Sequence, residues 1–370
     1  MQAIYQKIPQ LIAQGEVGAY CTVVETNGST PQKPGAKLLI LPSLENIGTL
    51  GGGCVEAEAK QQAIDSISKG DCQLLEFQLD NDYGWDDGLI CGGQMKIFID
   101  VPKTDVEYDL FTTLQDLSSQ KIPLFVATVV ESNVDSLVVG QKRLVSNRGQ
   151  IVSNFSTCNL IPEVDKIGAD ILQSNVPKLC SLDFDQGEAL VFIEPIQPRP
   201  TLLIAGAGHI GQALCHLGNW IDFDVVVVDD RADLASHQHL PDSHQIIVGD
   251  IATELSRYPI NELTYVVIVT RGHNHDEEAL HAVVNSNARY IGLIGSRRKI
   301  KLIFDDLVEL GVSLDRLNKV FAPIGLDISS KTVPEIAVSI ASQLIQVRNT
   351  HLCSKRGSQP KPMPTIKVAG

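Results

Sequence analysis

The apolar positions of this chain change rhythm near its middle. From residue 201 they come as short unbroken runs: TLLIAG, VVVVDD, QIIVGD, TYVVIVT, YIGLIG and VFAPIG. Runs apolar on both faces, mostly separated by helical or connecting segments, predict parallel strands covered on both sides. Earlier in the chain the pattern is irregular. AYCTVVETNGS and AKLLILP read as strands, and CVEAEAKQQAIDSIS reads as a helix with Val55, Ala59, Ala63 and Ile67 along one face. QLLEFQL, MKIFIDV, LFVATVVES and SLVVGQKRLVS add further strands, and no repeat of fixed period is evident. The fold class is therefore α/β: an N-terminal α+β domain, residues 1–197, followed by a Rossmann-like doubly wound parallel-sheet domain, residues 198–348. The prolines of PIQPRP mark the boundary. TVPEIAVSIASQLIQV closes the second domain as a helix, with a Thr332/Glu335 capping box and a stripe of Ile336, Ile340 and Leu344. The polar, proline-bearing residues 349–370 read as a flexible tail.

Composition narrows the class of partner. The chain has 370 residues, of which 44% are hydrophobic and 20% charged, with a formal net charge of −14. That balance argues against a broad nucleic-acid surface, which needs clustered cations. The first residues place Ile4, Ile8, Leu11 and Ile12 at helical spacing and stop at Gly15, without the unbroken apolar core of a signal peptide. No apolar run reaches transmembrane length, so no membrane partner is expected and the cytoplasm is the expected location. Eight cysteines lie scattered with no C-x-x-C pair, which is neither a disulfide framework nor a zinc-finger pattern. Cys54 follows three glycines and Cys91 precedes two.

The chemistry concentrates in glycine turns. GAGHIG places Gly206, Gly208 and Gly211 in G-x-G-x-x-G spacing, with His209 inside the motif, between a strand and a helix. One glycine makes the turn, one admits a pyrophosphate and one lets helix and strand pack closely, while helix amides face the anion. Asp229 or Asp230 lies the expected distance on; Asp230 suits a ribose diol and Arg231 an extra phosphate, so NAD and NADP both stay open. Beyond the later strands come Arg271, His273, His275 and Asp276, then Arg297, Arg298 and Lys299, on the edge where open parallel sheets bind ligands. A metal site from His273, His275 and Asp276 is a further, weaker reading, because alternate loop residues need not point the same way. In the first domain, ETNGSTPQKPGAKLLI, GTLGGGCVEAEA and CGGQ supply three glycine-rich turns, two of them carrying cysteine. Gly52, Gly53, Cys54 and Cys91 thus mark a pocket for a flat, anionic, sulfur- or metal-bearing ligand. Helix-terminal placement would give Cys54 thiolate character, which Glu56 and Glu58 oppose.

GSTPQKPGAKLLI, GTLGGGCVE, CGG, LLIAGAGHIGQAL, VVDDR, TRGHNHDEEAL, YIGLIGSRRK and APIGLDISSKTVPEIAVSIASQLI, in that order, resemble the XdhC/CoxI family of molybdoenzyme maturation factors. The resemblance runs from about Gly18 to Arg348 and is weakest over 101–197. It implies a non-catalytic chaperone that binds molybdenum cofactor, as molybdopterin or its dinucleotide form. Such a chaperone protects the cofactor, assists its sulfuration with a cysteine desulfurase and delivers it to a xanthine dehydrogenase-type molybdenum hydroxylase apoenzyme. It further implies a homodimer and a contact between Cys54 and molybdenum. Thr30-Pro31-Gln32 stands where the family usually has Ser-Pro-Arg, and Gly51-Gly52-Gly53-Cys54 where it usually has Ser-Gly-Gly-Cys. Two alternatives rest on the Rossmann pattern: an NAD(P)-dependent oxidoreductase with His273 or His275 as acid/base, or a non-catalytic nucleotide sensor.

Overall fold

The first half of the chain uses one element order twice. In the computed structural model, which describes residues 2–79, 92–102, 104–135, 137–155, 161–184 and 187–350, the chain forms two units that divide between Pro198 and Arg199. The first unit opens with α1 (Gln2–Ala13), β1 (Ala19–Asn27), β2 (Lys37–Ile40), β3 (Asn46–Gly48), α2 (Gly53–Lys69), β4 (Gln73–Gln78) and β5 (Gln94–Asp100). It continues with α3 (Asp105–Ser119), β6 (Leu124–Ser132), β7 (Lys142–Ser146), β8 (Ile151–Ser153), α4 (Ile161–Ser174), β9 (Lys178–Phe184) and β10 (Gly187–Ile196). The two antiparallel sheets run β3-β2-β1-β5-β4 and β8-β7-β6-β10-β9, the same order in each copy.

Strands β1 and β6, β2 and β7, β3 and β8, and β4 and β9 each begin 105 positions apart, as from Ala19 to Leu124. This corrects the expectation of no fixed period. The side-chain pattern has diverged between the copies, and what persists is backbone geometry. Gly35 and Gly140 (φ 94° and 90°), Leu44 and Gly149 (68° and 80°), and Gly70 and Asn175 (71° and 51°) share a left-handed conformation at the same offset. The same geometry delays a predicted strand: among the described residues of SLVVGQKRLVS only Lys142–Ser146 is extended, because Gly140 turns the chain and donates its N–H to the Val129 carbonyl at 2.8 Å.

Helices α2 and α4 each cover one sheet, with Val55, Ala59 and Ala63 in one core and Val164 and Ile171 in the other. Helices α1 and α3 share a third core through Ile4, Tyr5, Ile8, Leu110, Phe111 and Leu114. Two buried ion pairs cross between the copies. Lys37 on β2 reaches Glu194 on β10 at 2.9 Å, and its counterpart Lys142 on β7 reaches Asp100 on β5 at 2.7 Å and Glu107 at 3.3 Å. Each copy thus supplies a lysine to the last strand of the other, which fixes how the two sheets meet.

The second unit is built from β11 (Thr201–Ala205), α5 (His209–Trp220), β12 (Asp224–Asp229), β13 (Gln245–Val248), α6 (Ile251–Arg257), β14 (Thr264–Ile268), α7 (His273–Val283), β15 (Tyr290–Leu293), α8 (Arg297–Glu309), α9 (Leu314–Leu317) and α10 (Val333–Thr350). All pairings in the sheet β13-β12-β11-β14-β15 are parallel. With helices on both faces this is the doubly wound Rossmann arrangement, whose strand order reverses beside β11. The sixth apolar run, VFAPIG, is not a regular strand. Phe321 pairs once with the edge of β15, donating to the Ile291 carbonyl at 2.8 Å, and then Pro323 removes the next donor. Helix α10 carries the expected buried Ile340 and Leu344, runs to Thr350, and begins with Glu335 accepting the N–H groups of Lys331 and Thr332. Among the described residues no helix is long and apolar enough to cross a membrane.

Candidate functional site

In the first unit the turn before α2 explains its own glycines. Gly51, Gly52 and Gly53 have φ of 107°, 76° and 64° in succession, a backbone course that side-chain-bearing residues rarely follow. A Cβ on Gly51 would stand 2.5 Å from Pro31 Cβ, whereas one on Gly52 would meet nothing within 4 Å. The turn therefore packs on the TPQ segment at Gly51 and opens to space at Gly52. Cys54 follows as the second residue of α2, half-buried.

The carboxylate that fixes this turn comes from the first turn of α2. Glu56 Oε2 accepts from Thr49 Oγ1 at 2.7 Å, Leu50 N at 2.9 Å and Gly52 N at 3.2 Å, while Oε1 lies 3.2 Å from Lys60 Nζ. Partial burial would raise its pKa, but these donors outweigh it and draw the value down to about 2. A depressed carboxyl pKa contributes stability above its ordinary value of 4.5 and loses it as pH falls toward 2. The amides of Leu50 and Gly52 should therefore stay protected from exchange at pH 5 and lose protection only on approach to pH 2. Glu56→Gln should loosen the turn by about 1–2 kcal/mol; an amide titration centred near the ordinary glutamate value would contradict this.

The third glycine turn lies on the other side of the loop after β1. Ser29 pairs with Gly92, and a Cβ on Gly93 would fall 2.3 Å from the Ser29 carbonyl oxygen and 2.7 Å from that of Asn27. The three turns predicted from sequence are thus neighbours, with residues 27–32 between the other two. Cys91 lies outside the described residues. Burial pushes the thiols of Cys21, Cys72 and Cys215 up to about 12 and raises that of Cys180 as well, so these four are packing groups.

In the second unit the G-x-G-x-x-G glycines hold their expected places. A Cβ on Gly206 would lie 2.6 Å from the Val269 carbonyl oxygen, and one on Gly211 would lie 1.9 Å from that of Gly206, while Gly208, the N-cap of α5, faces open space. His209 is exposed as the first residue of α5. Asp229 is fully buried and closes the loop from beneath: its Oδ2 accepts Ala207 N at 2.6 Å, and both oxygens accept from the Arg231 guanidinium at 2.7–2.8 Å. Arg231 and the Ala207 amide outweigh the effect of burial and lower the Asp229 pKa to about 2. Arg231 is thereby committed to Asp229. Asp230 is exposed, with Arg271 Nη2 2.8 Å from its Oδ2 and Arg231 Nε 3.8 Å from its Oδ1.

The loops after β14 and β15 open on the same edge of the sheet, as their parallel strands require. Arg297 and Arg298 are exposed at the start of α8. His273, His275 and Asp276 do not assemble into a metal site. Asp276 is fully buried and held by Thr270 Oγ1 at 2.5 Å and by Lys299 Nζ, which also donates to the Gly272 carbonyl. His275 instead faces Glu278, at 3.8 Å. His273 Nε2 lies 3.9 Å from Glu277 Oε2 and 3.7 Å from Asp306 Oδ2, two partners that sequence inspection missed. A histidine followed four residues later by glutamate on a helix was the available signal for one of them.

Two family models match this chain: "XdhC and CoxI family" over residues 11–78 and "XdhC Rossmann domain" over residues 202–344. Among curated proteins, the uncharacterised protein YqeB of Escherichia coli (strain K12) is 28% identical over 65% of this chain, a match spanning 46% of that protein's length. A probable xanthine dehydrogenase subunit of Bacillus subtilis (strain 168) is 25% identical over 94% of this chain and 98% of its own. The molybdenum cofactor insertion chaperone PaoD of Escherichia coli (strain K12) is 22% identical over 92% and 86%. A crystal structure described as that of a xanthine dehydrogenase from Bacillus halodurans has the same fold, with a TM-score of 0.76 at 22% identity, covering 96% of this chain and 98% of that one.

Proposed function

This chain belongs to the XdhC and CoxI family, and we propose that it is a maturation factor that binds molybdenum cofactor and hands it to a xanthine dehydrogenase-type molybdenum hydroxylase. The observation that carries the reading is the open glycine turn at Gly52 leading into half-buried Cys54. Molybdenum cofactor presents a metal with an affinity for thiolate, a flat pterin and a phosphate. Cys54 is the residue suited to the metal or its sulfur ligand, and the bare backbone at Gly52 and Gly53 leaves room for a bulky guest. In the second unit, Gly208 and the N-terminus of α5 suit the phosphate or pyrophosphate of a bound nucleotide. In that unit, taken by itself, His209, Asp230, Arg297 and Arg298 are candidates for the rest of a nucleotide bound at that sheet edge. Assistance with sulfuration beside a cysteine desulfurase, and action as a homodimer, belong to the same proposal.

Gly208, where a Cβ would meet nothing within 4 Å, and exposed Asp230 also suit NAD(P), so the test must separate the two readings. The protein, incubated with molybdenum cofactor and separately with NADH, should retain the molybdenum species selectively. Cys54→Ala should weaken that retention about tenfold or more. Wild-type retention by Cys54→Ala would remove the thiol from the site. NADH retention with turnover of a carbonyl substrate, and no retained molybdenum, would replace this reading by the oxidoreductase.

A further inference from the structure

We propose that His273, Glu277 and Asp306 form a binding site for a single divalent first-row metal ion, of the kind represented by Zn²⁺ or Mn²⁺. The three ligand atoms come from two helices: His273 and Glu277 stand one turn apart at the start of α7, and Asp306 faces them from the third turn of α8. Their ligand atoms all lie within 4.8 Å of one another, and the imidazole nitrogen is 3.7 Å from one carboxylate and 3.9 Å from the other. Ligands on a tetrahedral ion at ordinary metal–nitrogen and metal–oxygen lengths stand about 3.3–3.6 Å apart. The histidine distances therefore need close by only a few tenths of an ångström, within reach of side-chain rotation.

Charge points the same way. Among the described residues neither Glu277 nor Asp306 has a lysine or arginine within 4 Å, and the nearby Lys299 ammonium is taken by Asp276 and the Gly272 carbonyl. A protonated His273 would offset only one of the two carboxylates, whereas a divalent ion with neutral His273 offsets both. The N-terminal dipole of α7 opposes a cation, but only weakly at a partly exposed site, and two carboxylate ligands outweigh it. One imidazole with two carboxylates is a borderline-to-hard donor set, suited to Zn²⁺, Mn²⁺ or Fe²⁺ rather than to Cu⁺. Three protein ligands leave coordination positions for water or for an anionic oxygen. The site is independent of Cys54 and of the molybdenum cofactor reading.

The test uses the full chain and two probes. Mn²⁺ added to the protein should lose its free-ion electron paramagnetic resonance signal up to one ion per chain, and Zn²⁺ should displace it. Asp306→Asn and Glu277→Gln should each weaken uptake at least about tenfold. Glu278→Gln, one residue along the same helix, and Cys54→Ser should leave it unchanged, which separates this site from surface acidity and from thiols. Absence of Mn²⁺ and Zn²⁺ uptake by the wild type, or uptake undiminished in Asp306→Asn, would overturn the proposal.

Discussion

Lys142→Met is expected to destabilise the first unit by about 3–5 kcal/mol, because it removes one partner of a buried ion cluster and leaves the others without compensation. Lys142 is fully buried. Its ammonium touches Asp100 at 2.7 Å, Glu107 at 3.3 Å and the Gly140 carbonyl at 2.8 Å. Burial alone would lower its pKa, yet Asp100 and Glu107 outweigh burial and hold it at about 12. A lysine whose folded pKa is raised contributes stability fully present below its ordinary value of 10.5 and lost as pH climbs through about 12. The gap between wild type and variant should therefore be constant across the neutral range. Lys37→Met should cost less, because it strands a single carboxylate, Glu194, whose Oε1 still accepts from the Tyr5 hydroxyl at 3.1 Å. Combining Lys142→Met with Asp100→Asn and Glu107→Gln should recover much of the loss. Urea unfolding monitored by circular dichroism reads all of these. A Lys142→Met variant within about 1 kcal/mol of wild type would show that the cluster does not hold the copies together.

The Rossmann unit was legible in the sequence because its constraints are local. TLLIA followed by three glycines at fixed spacing can be read from a dozen residues, since two of them answer to a backbone atom close in the chain or the sheet, Gly211 to Gly206 and Gly206 to Val269 across one strand pair, while Gly208 faces open space. The choice between Asp229 and Asp230 was not legible. Both end a valine run, and only the turn at that point puts the first under the glycine loop and the second in solvent. The duplication in the first unit escaped for the opposite reason. Its evidence lies in left-handed positions shared by Leu44 and Gly149, or Gly70 and Asn175, where different side chains tolerate one backbone shape. The burial of Lys37 and Lys142 was not legible, because it depends on carboxylates distant in the chain and lysine is rarely buried. In the candidate site, the glycine run and Cys54 stood out by composition. Glu56 was visible only as a charge opposing the thiol, because its acceptance of three donors depends on a turn three-dimensionally closed by Gly51 against Pro31.

Glu56 and Asp229 give the two units a common device, a carboxylate clamped under a glycine turn, and Asp229 should be the more costly to remove. Asp229→Ala leaves the fully buried Ala207 without its side-chain acceptor and releases both guanidinium bonds of Arg231, so a loss of about 3 kcal/mol is expected. Because the folded pKa is depressed, the contribution is fully present above the ordinary aspartate value of 3.8 and disappears as pH falls toward 2. Asp229→Asn should be intermediate: its remaining carbonyl can accept Ala207 N, but its amide nitrogen must face the guanidinium. The direct readout is hydrogen exchange at Ala207 and Gly208, which should quicken in Asp229→Ala beyond the change in global stability, together with weaker binding of any phosphate-bearing ligand at the α5 N-terminus. Unchanged protection of the Ala207 amide in Asp229→Ala would mean that the glycine loop is held by its own backbone, through Gly206 against Val269 and Gly211 against Gly206, and that the buried carboxylate serves Arg231 instead.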